Sequence, residues 1–66
     1  RRQKRAWVLR EVMARPGLST AEIHRSLNVA ELAAGRDRVS GEELDSILAA
    51  LSKEGFFSFA DGGWRA

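Results

Sequence analysis

The apolar residues of this chain change their spacing once, near Gly55, and this change limits the folds open to the chain. Before that point they recur at i, i+3, i+4 and i+7, the spacing of one helix face, at Leu44, Ile47, Leu48 and Leu51. After it, Phe57 and Phe59 alternate with small residues, which is the period of a strand. Asp61-Gly62-Gly63 then predicts a turn, and Trp64 begins a return strand. The pattern predicts a helix followed by a short hairpin.

Two earlier segments also have the features of helices. Residues 3–15 carry an apolar stripe of helical period at Val8, Leu9, Val12 and Met13. Pro16-Gly17 ends this first helix, since proline restricts the residue before it and glycine breaks the next turn. Ser19-Thr20-Ala21-Glu22 is a capping box that begins a second helix. That helix either stops at Asn28, which then caps a short further helix through Ala34, or runs on to Ala34, and the sequence leaves both open.

The third helix has the same start signal as the second. Ser40-Gly41-Glu42-Glu43 predicts another capping box, and Val39 with Leu44 predicts a hydrophobic staple across it. Gly35-Arg36-Asp37-Arg38 reads as a polar loop before this start, and Gly55 suits the left-handed residue that ends a helix.

The composition argues against catalysis and against a bound metal. The chain has 66 residues, enough for one domain, and a chain this short buries only about 60% of its unfolded surface, so a deep substrate cleft is not expected. There is no cysteine, and His24 is the only histidine, which we expect on the helix surface. Neighbouring acids on a helix diverge, so helix capping explains Glu42, Glu43 and Asp45 better than a metal site does. We expect no enzymatic activity, cofactor or small-molecule substrate.

Charge is distributed unevenly along the chain. The net charge is +2, but residues 1–15 carry six basic groups and one acid, whereas residues 40–55 carry four acids and one base. The basic start is not followed by a long apolar run, because Arg10 and Glu11 interrupt it, so we predict neither a signal peptide nor a membrane span. The basic stretch with Trp7 could lie on an acidic membrane surface, but we rank this lowest since its apolar stripe is needed for the core. We expect an intracellular domain.

Three helices and a hairpin in about 65 residues resemble the winged helix-turn-helix family. The resemblance is carried by the segment 18–23, LSTAEI, and by the segment 44–56, LDSILAALSKEGF, which runs into the hairpin. It implies that the third helix enters the DNA major groove and that the hairpin, or wing, contacts the DNA backbone. The connection of about ten residues between Asn28 and Ser40 departs from the family's short turn, and so do the acids of the third helix.

The chain is also similar to the Z-form nucleic-acid-binding subgroup of that family, which has a late wing tryptophan matched by Trp64. That subgroup uses an asparagine and a tyrosine on the third helix, and the matching residues here are Asp45 and Ala49. The Z-form activity is therefore not carried over.

We interpret residues 1–66 as one domain, mainly α with a small β-hairpin, a three-helix winged helix-turn-helix domain cut from a longer protein. The first hypothesis is duplex DNA binding within a protein of transcription regulation or DNA processing, since Lys and Arg neutralise phosphates. The residues predicted to contact nucleic acid are Arg2, Lys4, Arg5, Arg36, Arg38, Ser46, Ala49, Ser52, Lys53 and Arg65.

The alternative is a protein-interaction domain that docks through the acidic third helix or a wing aromatic. Core filling is the expected role of most of the five aromatic residues. Phe56 and Phe57 are adjacent and face opposite ways if they lie on a strand, so one of the two is expected to be exposed. A plain solvated surface explains the basic residues equally well.

Overall fold

The computed structural model describes residues 2–66, with side chains from Lys4 onward, and shows three helices followed by a two-stranded antiparallel hairpin. The elements are α1 (Arg2–Ala14), α2 (Thr20–Ala33), α3 (Gly41–Lys53), β1 (Ser58–Ala60) and β2 (Gly63–Arg65). The mainly helical winged-helix layout predicted from the sequence is confirmed.

The core draws on all three helices, on the connection before α3 and on the segment after it. Its buried members are Val8, Val12, Ile23, Leu27, Val39, Leu44, Leu48, Leu51 and Phe57. The predicted α3 stripe is confirmed, although Ile47 is only partly buried. The prediction that Met13 belongs to the apolar stripe of α1 is wrong, because Met13 is 59% exposed. Val8 and Val12 lie one above the other on the core face, and Met13 is turned about 100° around the helix from Val12.

α2 takes the longer of its two predicted courses and ends at Ala33. Asn28 does not stop it. Instead the Asn28 Oδ1 accepts the Val39 N–H at 2.6 Å, and His24 Nε2–H donates to the Val39 carbonyl at 2.6 Å. The expectation that His24 is a plain surface residue is wrong, because its ring is half-buried against the connection. Two side chains of α2 therefore satisfy both backbone groups of Val39 and hold the long connection to the core.

The two capping boxes differ. At α2 the box is complete: the Glu22 N–H donates to Ser19 Oγ, and the Ser19 N–H donates to the Glu22 carboxylate. At α3 only half of the predicted box forms, because the Glu43 N–H donates to Ser40 Oγ at 3.1 Å while the Glu43 carboxylate is bound elsewhere.

The hairpin turns through Asp61-Gly62, with Gly63 already in β2 rather than in the turn. Both turn residues have positive φ, 52° and 76°, as a two-residue type I′ turn requires. The register pairs Phe59 with Trp64 and Ala60 with Gly63.

The wing is fastened to the connection between α1 and α2. The Trp64 N–H donates to the Leu18 carbonyl and the Gly17 N–H donates to the Trp64 carbonyl, each at 2.8 Å. At Gly63 the two chains approach so closely that a Cβ would lie 2.5 Å from the Gly17 carbonyl oxygen. Only glycine fits there, so the position of the wing depends on Gly63.

Candidate nucleic-acid interface

One side of α3 is not covered by any other element of residues 2–66. Its residues are spaced at i, i+3, i+4, i+7 and i+11, lie opposite the buried leucines and are all exposed: Glu42, Asp45, Ser46, Ala49 and Lys53. We call this set the open face of α3. Ser52, which was also predicted to contact nucleic acid, is half-buried at its border. The open face thus has acids at its N-terminal end, small residues in the middle and a cation at its C-terminal end.

Three of the predicted phosphate-binding cations are exposed and make no ion pair with a described side chain. Arg38 lies in the connection two residues before Ser40, the residue that caps α3. Lys53 is the last residue of α3, and Arg65 lies on β2 with its guanidinium beside Gly17. The structure places these cations before α3, at its end and on the wing.

Lys4 and Arg5 of α1, two of the predicted phosphate contacts, are paired with carboxylates of the chain itself. Lys4 Nζ donates to the Glu43 carboxylate at 3.0 Å, and Arg5 Nη2 donates to both carboxylate oxygens of Glu54 at 3.0 and 3.1 Å. Glu43 and Glu54 are eleven positions apart and so share the flank of α3 that faces α1. Lys4 and Arg5 therefore neutralise that flank. The side chain of Arg2, another predicted contact, lies outside the described residues.

Arg36 is also occupied within the chain. Its Nε and Nη2 donate to one carboxylate oxygen of Glu31 at 2.9 and 2.6 Å, and its N–H donates to the Glu31 carbonyl. Glu31 is only 3% exposed, and its other carboxylate oxygen has no hydrogen-bond partner among the described residues. The Arg36 hydrogen bonds hold the pKa of Glu31 below its usual value, although burial raises it, and Glu31 in turn raises the pKa of Arg36.

The wing aromatics divide into a buried and an exposed group. Phe57 is 4% exposed and Phe56 is 47% exposed, so the prediction that one of the two faces solvent is confirmed. Phe59 is 53% exposed, contrary to a core role. The Trp64 ring contacts both Phe57 and Phe59 edge to face, with centroids 5.4 and 5.1 Å apart, and its Nε1–H donates to Thr20 Oγ1.

Within the part of the chain that the structure describes, no group of histidine or acidic side chains is placed to hold a metal, and no pocket is found. None of the helices described has the length and apolar character needed to cross a bilayer. Of the features predicted to bind, the open face of α3, its neighbouring cations and the wing aromatics Phe56 and Phe59 are exposed in residues 4–66. Val29 and Leu32 of α2 are also exposed.

Comparison with known proteins gives no match: no family model, no curated protein and no solved structure is significantly similar to this chain. Inferences about function therefore depend on the geometry of the chain itself.

Proposed function

We propose that this domain binds duplex DNA, with the open face of α3 towards the major groove and Arg38, Lys53 and Arg65 on phosphates. The observation that carries the proposal is that these three cations are exposed and unpaired among the described residues, before α3, at its end and on the wing. Phosphate contacts of this kind fix the position of a protein on the duplex, while side chains in the groove read the bases.

The middle of the open face suits close approach to base edges. Ser46 and Ala49 are small and exposed, so they do not hold the helix away from the groove. A serine hydroxyl can donate to or accept from a base edge, and a carboxylate such as that of Asp45 can accept from the amino group of cytosine. Glu42 and Asp45 also repel phosphates, so we expect weak binding to random DNA.

The salt dependence of binding tests this proposal and counts the contacts. Three phosphate contacts give a slope of log K against log salt of about −2.7. If Lys4, Arg5 and Arg36 also contact phosphates, the six contacts give a slope of about −5.4. The measurement is fluorescence anisotropy on a random duplex across a salt series.

The matched variants are Arg38→Ala, Lys53→Ala and Arg65→Ala, each of which should reduce the slope by about 0.9. Arg10→Ala removes the same charge from an exposed position of α1 and should leave the slope unchanged. Absence of binding by the unaltered domain at low salt would exclude the proposal.

Protein docking is a second candidate, favoured by the uncompensated acids of the open face. Glu42 and Asp45 make no ion pair among the described residues, and Phe56 is exposed three residues beyond Lys53. Acids beside an exposed aromatic suit a partner rich in Lys and Arg. The probe is a basic helical peptide. Docking would be favoured if the unaltered domain binds this peptide but not DNA, and if the double variant Glu42→Gln, Asp45→Asn no longer binds the peptide.

A further inference from the structure

Within the described residues, the outer edge of β1 is not paired with another strand. The sheet has the order β1-β2, and β2 is bonded on its other side to Gly17 and Leu18. Because the Trp64 N–H and C=O are used on that other side, Phe59 and Trp64 form a non-hydrogen-bonded pair of the hairpin. The N–H and C=O of Phe59 therefore point to the open edge of β1.

Little in the sequence of β1 protects this edge. Ser58, Phe59 and Ala60 are all exposed and carry no charge, and proline is absent from the strand. Charged residues, prolines and bulges are the usual means by which proteins prevent edge pairing, and β1 has only its short length. The exposed ring of Phe59 adds apolar surface at the centre of the strand.

We propose that β1 pairs antiparallel with β1 of a second copy of this chain, with the two-fold axis at Phe59. In this register the Phe59 N–H of each copy donates to the Phe59 carbonyl of the other, so a single residue supplies both donor and acceptor. The two hairpins become one four-stranded sheet, and Trp64 and Phe59 of both copies form a continuous aromatic row on one face.

The charges near β1 are compatible with a second copy as the partner. In the two-fold register Ser58 lies opposite Ala60, and Asp61, the nearest charged residue, lies opposite Phe57 instead of another Asp61. No like charges therefore face each other. A stable interface buries about 1,200 Å² of surface or more, and a pair of strands of three residues each buries far less. The dimer is therefore weak and exchanges rapidly. The contact does not use the open face of α3, so it stands independently of the proposed function.

Opposite charges at residue 59 test the register. Phe59→Lys alone and Phe59→Glu alone should each be monomeric, because like charges then face each other across the axis. An equimolar mixture of the two should associate, and sedimentation velocity should detect the heterodimer. In the unaltered domain, association and protection of the residue 59 amide from hydrogen exchange should both rise with protein concentration.

Met13→Lys is the matched control, since it places the same charge on another exposed apolar residue, on α1 and outside the proposed contact, and should leave association unchanged. Far-ultraviolet circular dichroism confirms that each variant is folded. The proposal is overturned if the unaltered domain stays monomeric at the highest concentration reached, or if its dimer survives Phe59→Lys. Failure of the charged variants to associate on mixing would also overturn it.

Discussion

Arg36 and Arg38 are two residues apart in the same connection, yet the structure uses them differently. Arg36 is bound to the buried Glu31, whereas Arg38 is exposed and makes no ion pair with a described side chain. The same division separates Lys4 and Arg5, which are paired with α3, from the cations at its end and on the wing. The cations predicted to contact phosphate thus divide into a group committed to the fold, Lys4, Arg5 and Arg36, and a group available to a partner, Arg38, Lys53 and Arg65. Net charge alone does not reveal this division.

The largest effect is expected from Gly63→Ala, which moves an available cation without changing any charge. The added Cβ would lie 2.5 to 2.7 Å from the backbone of Gly17, so the wing must shift. We expect the free energy of unfolding to fall by about 1–3 kcal/mol, the cost of overpacking. DNA affinity should also fall because Arg65 moves with the wing. Denaturant unfolding and anisotropy measure the two effects, and an unchanged unfolding midpoint would contradict the described wing contact.

A committed cation should matter more to stability than an available one. Arg36→Ala leaves the Glu31 carboxylate buried without its partner, so we expect the melting temperature to fall by several degrees. Adding Glu31→Gln should recover part of this loss because the uncompensated charge is then removed. Arg38→Ala is the control and should leave the melting temperature unchanged. Equal losses for Arg36→Ala and Arg38→Ala would show that the division does not exist.

The pH dependence of stability should report the same ion pair. The folded pKa of Glu31 lies below the ordinary value of 4.5, so its contribution to stability is fully present above about pH 4.5. That contribution is lost as pH falls through the folded pKa. The pKa of Glu22 is also lowered, mainly by the hydrogen bond from the Ser19 backbone, so the contribution of Glu22 to stability is likewise lost as pH falls. Unfolding free energies measured from pH 6 downwards should fall less steeply for Arg36→Ala than for the unaltered domain.

The smallest effect is expected from Lys4→Ala. The Lys4 and Glu43 side chains are 28% and 45% exposed, and such pairs contribute less than about 1 kcal/mol. The freed Glu43 carboxylate can complete its capping box with the Ser40 N–H, which offsets part of the loss. We expect a small change in the unfolding midpoint and almost none in DNA affinity. A marked loss of DNA binding would place Lys4 among the available cations.

The starts of the helices and the hairpin could be predicted because their signals are local. The Ser19 cap and the Asp61-Gly62 turn depend on neighbouring residues only. α2 ends at a local cap, since Gly35 has φ 79° and the Arg36 N–H donates to the Glu31 carbonyl, but Asn28 offers a stop signal that is equally local. The path of the connection could not be predicted, because the backbone of Val39 is held by side chains 11 and 15 positions away.

The candidate interface was predictable in part for the same reason. The face of α3 follows from its leucine spacing, so the exposure of Ser46, Ala49 and Lys53 was expected correctly. The ion pairs of Lys4 and Arg5 join residues 39 and 49 positions apart, and no local pattern indicates them. The acidic residues of α3 were the one available signal, because a basic helix and an acidic helix in one small domain can pair with each other.

An NMR titration with a random DNA duplex at low salt decides whether the available cations and the open face of α3 form the binding surface. Amide signals of Arg38, Ser46, Ala49, Lys53 and Arg65 should shift together. Signals of α1 residues 4–10 should remain in place. Shifts concentrated in α1, with the open face unaffected, would contradict the proposed binding surface.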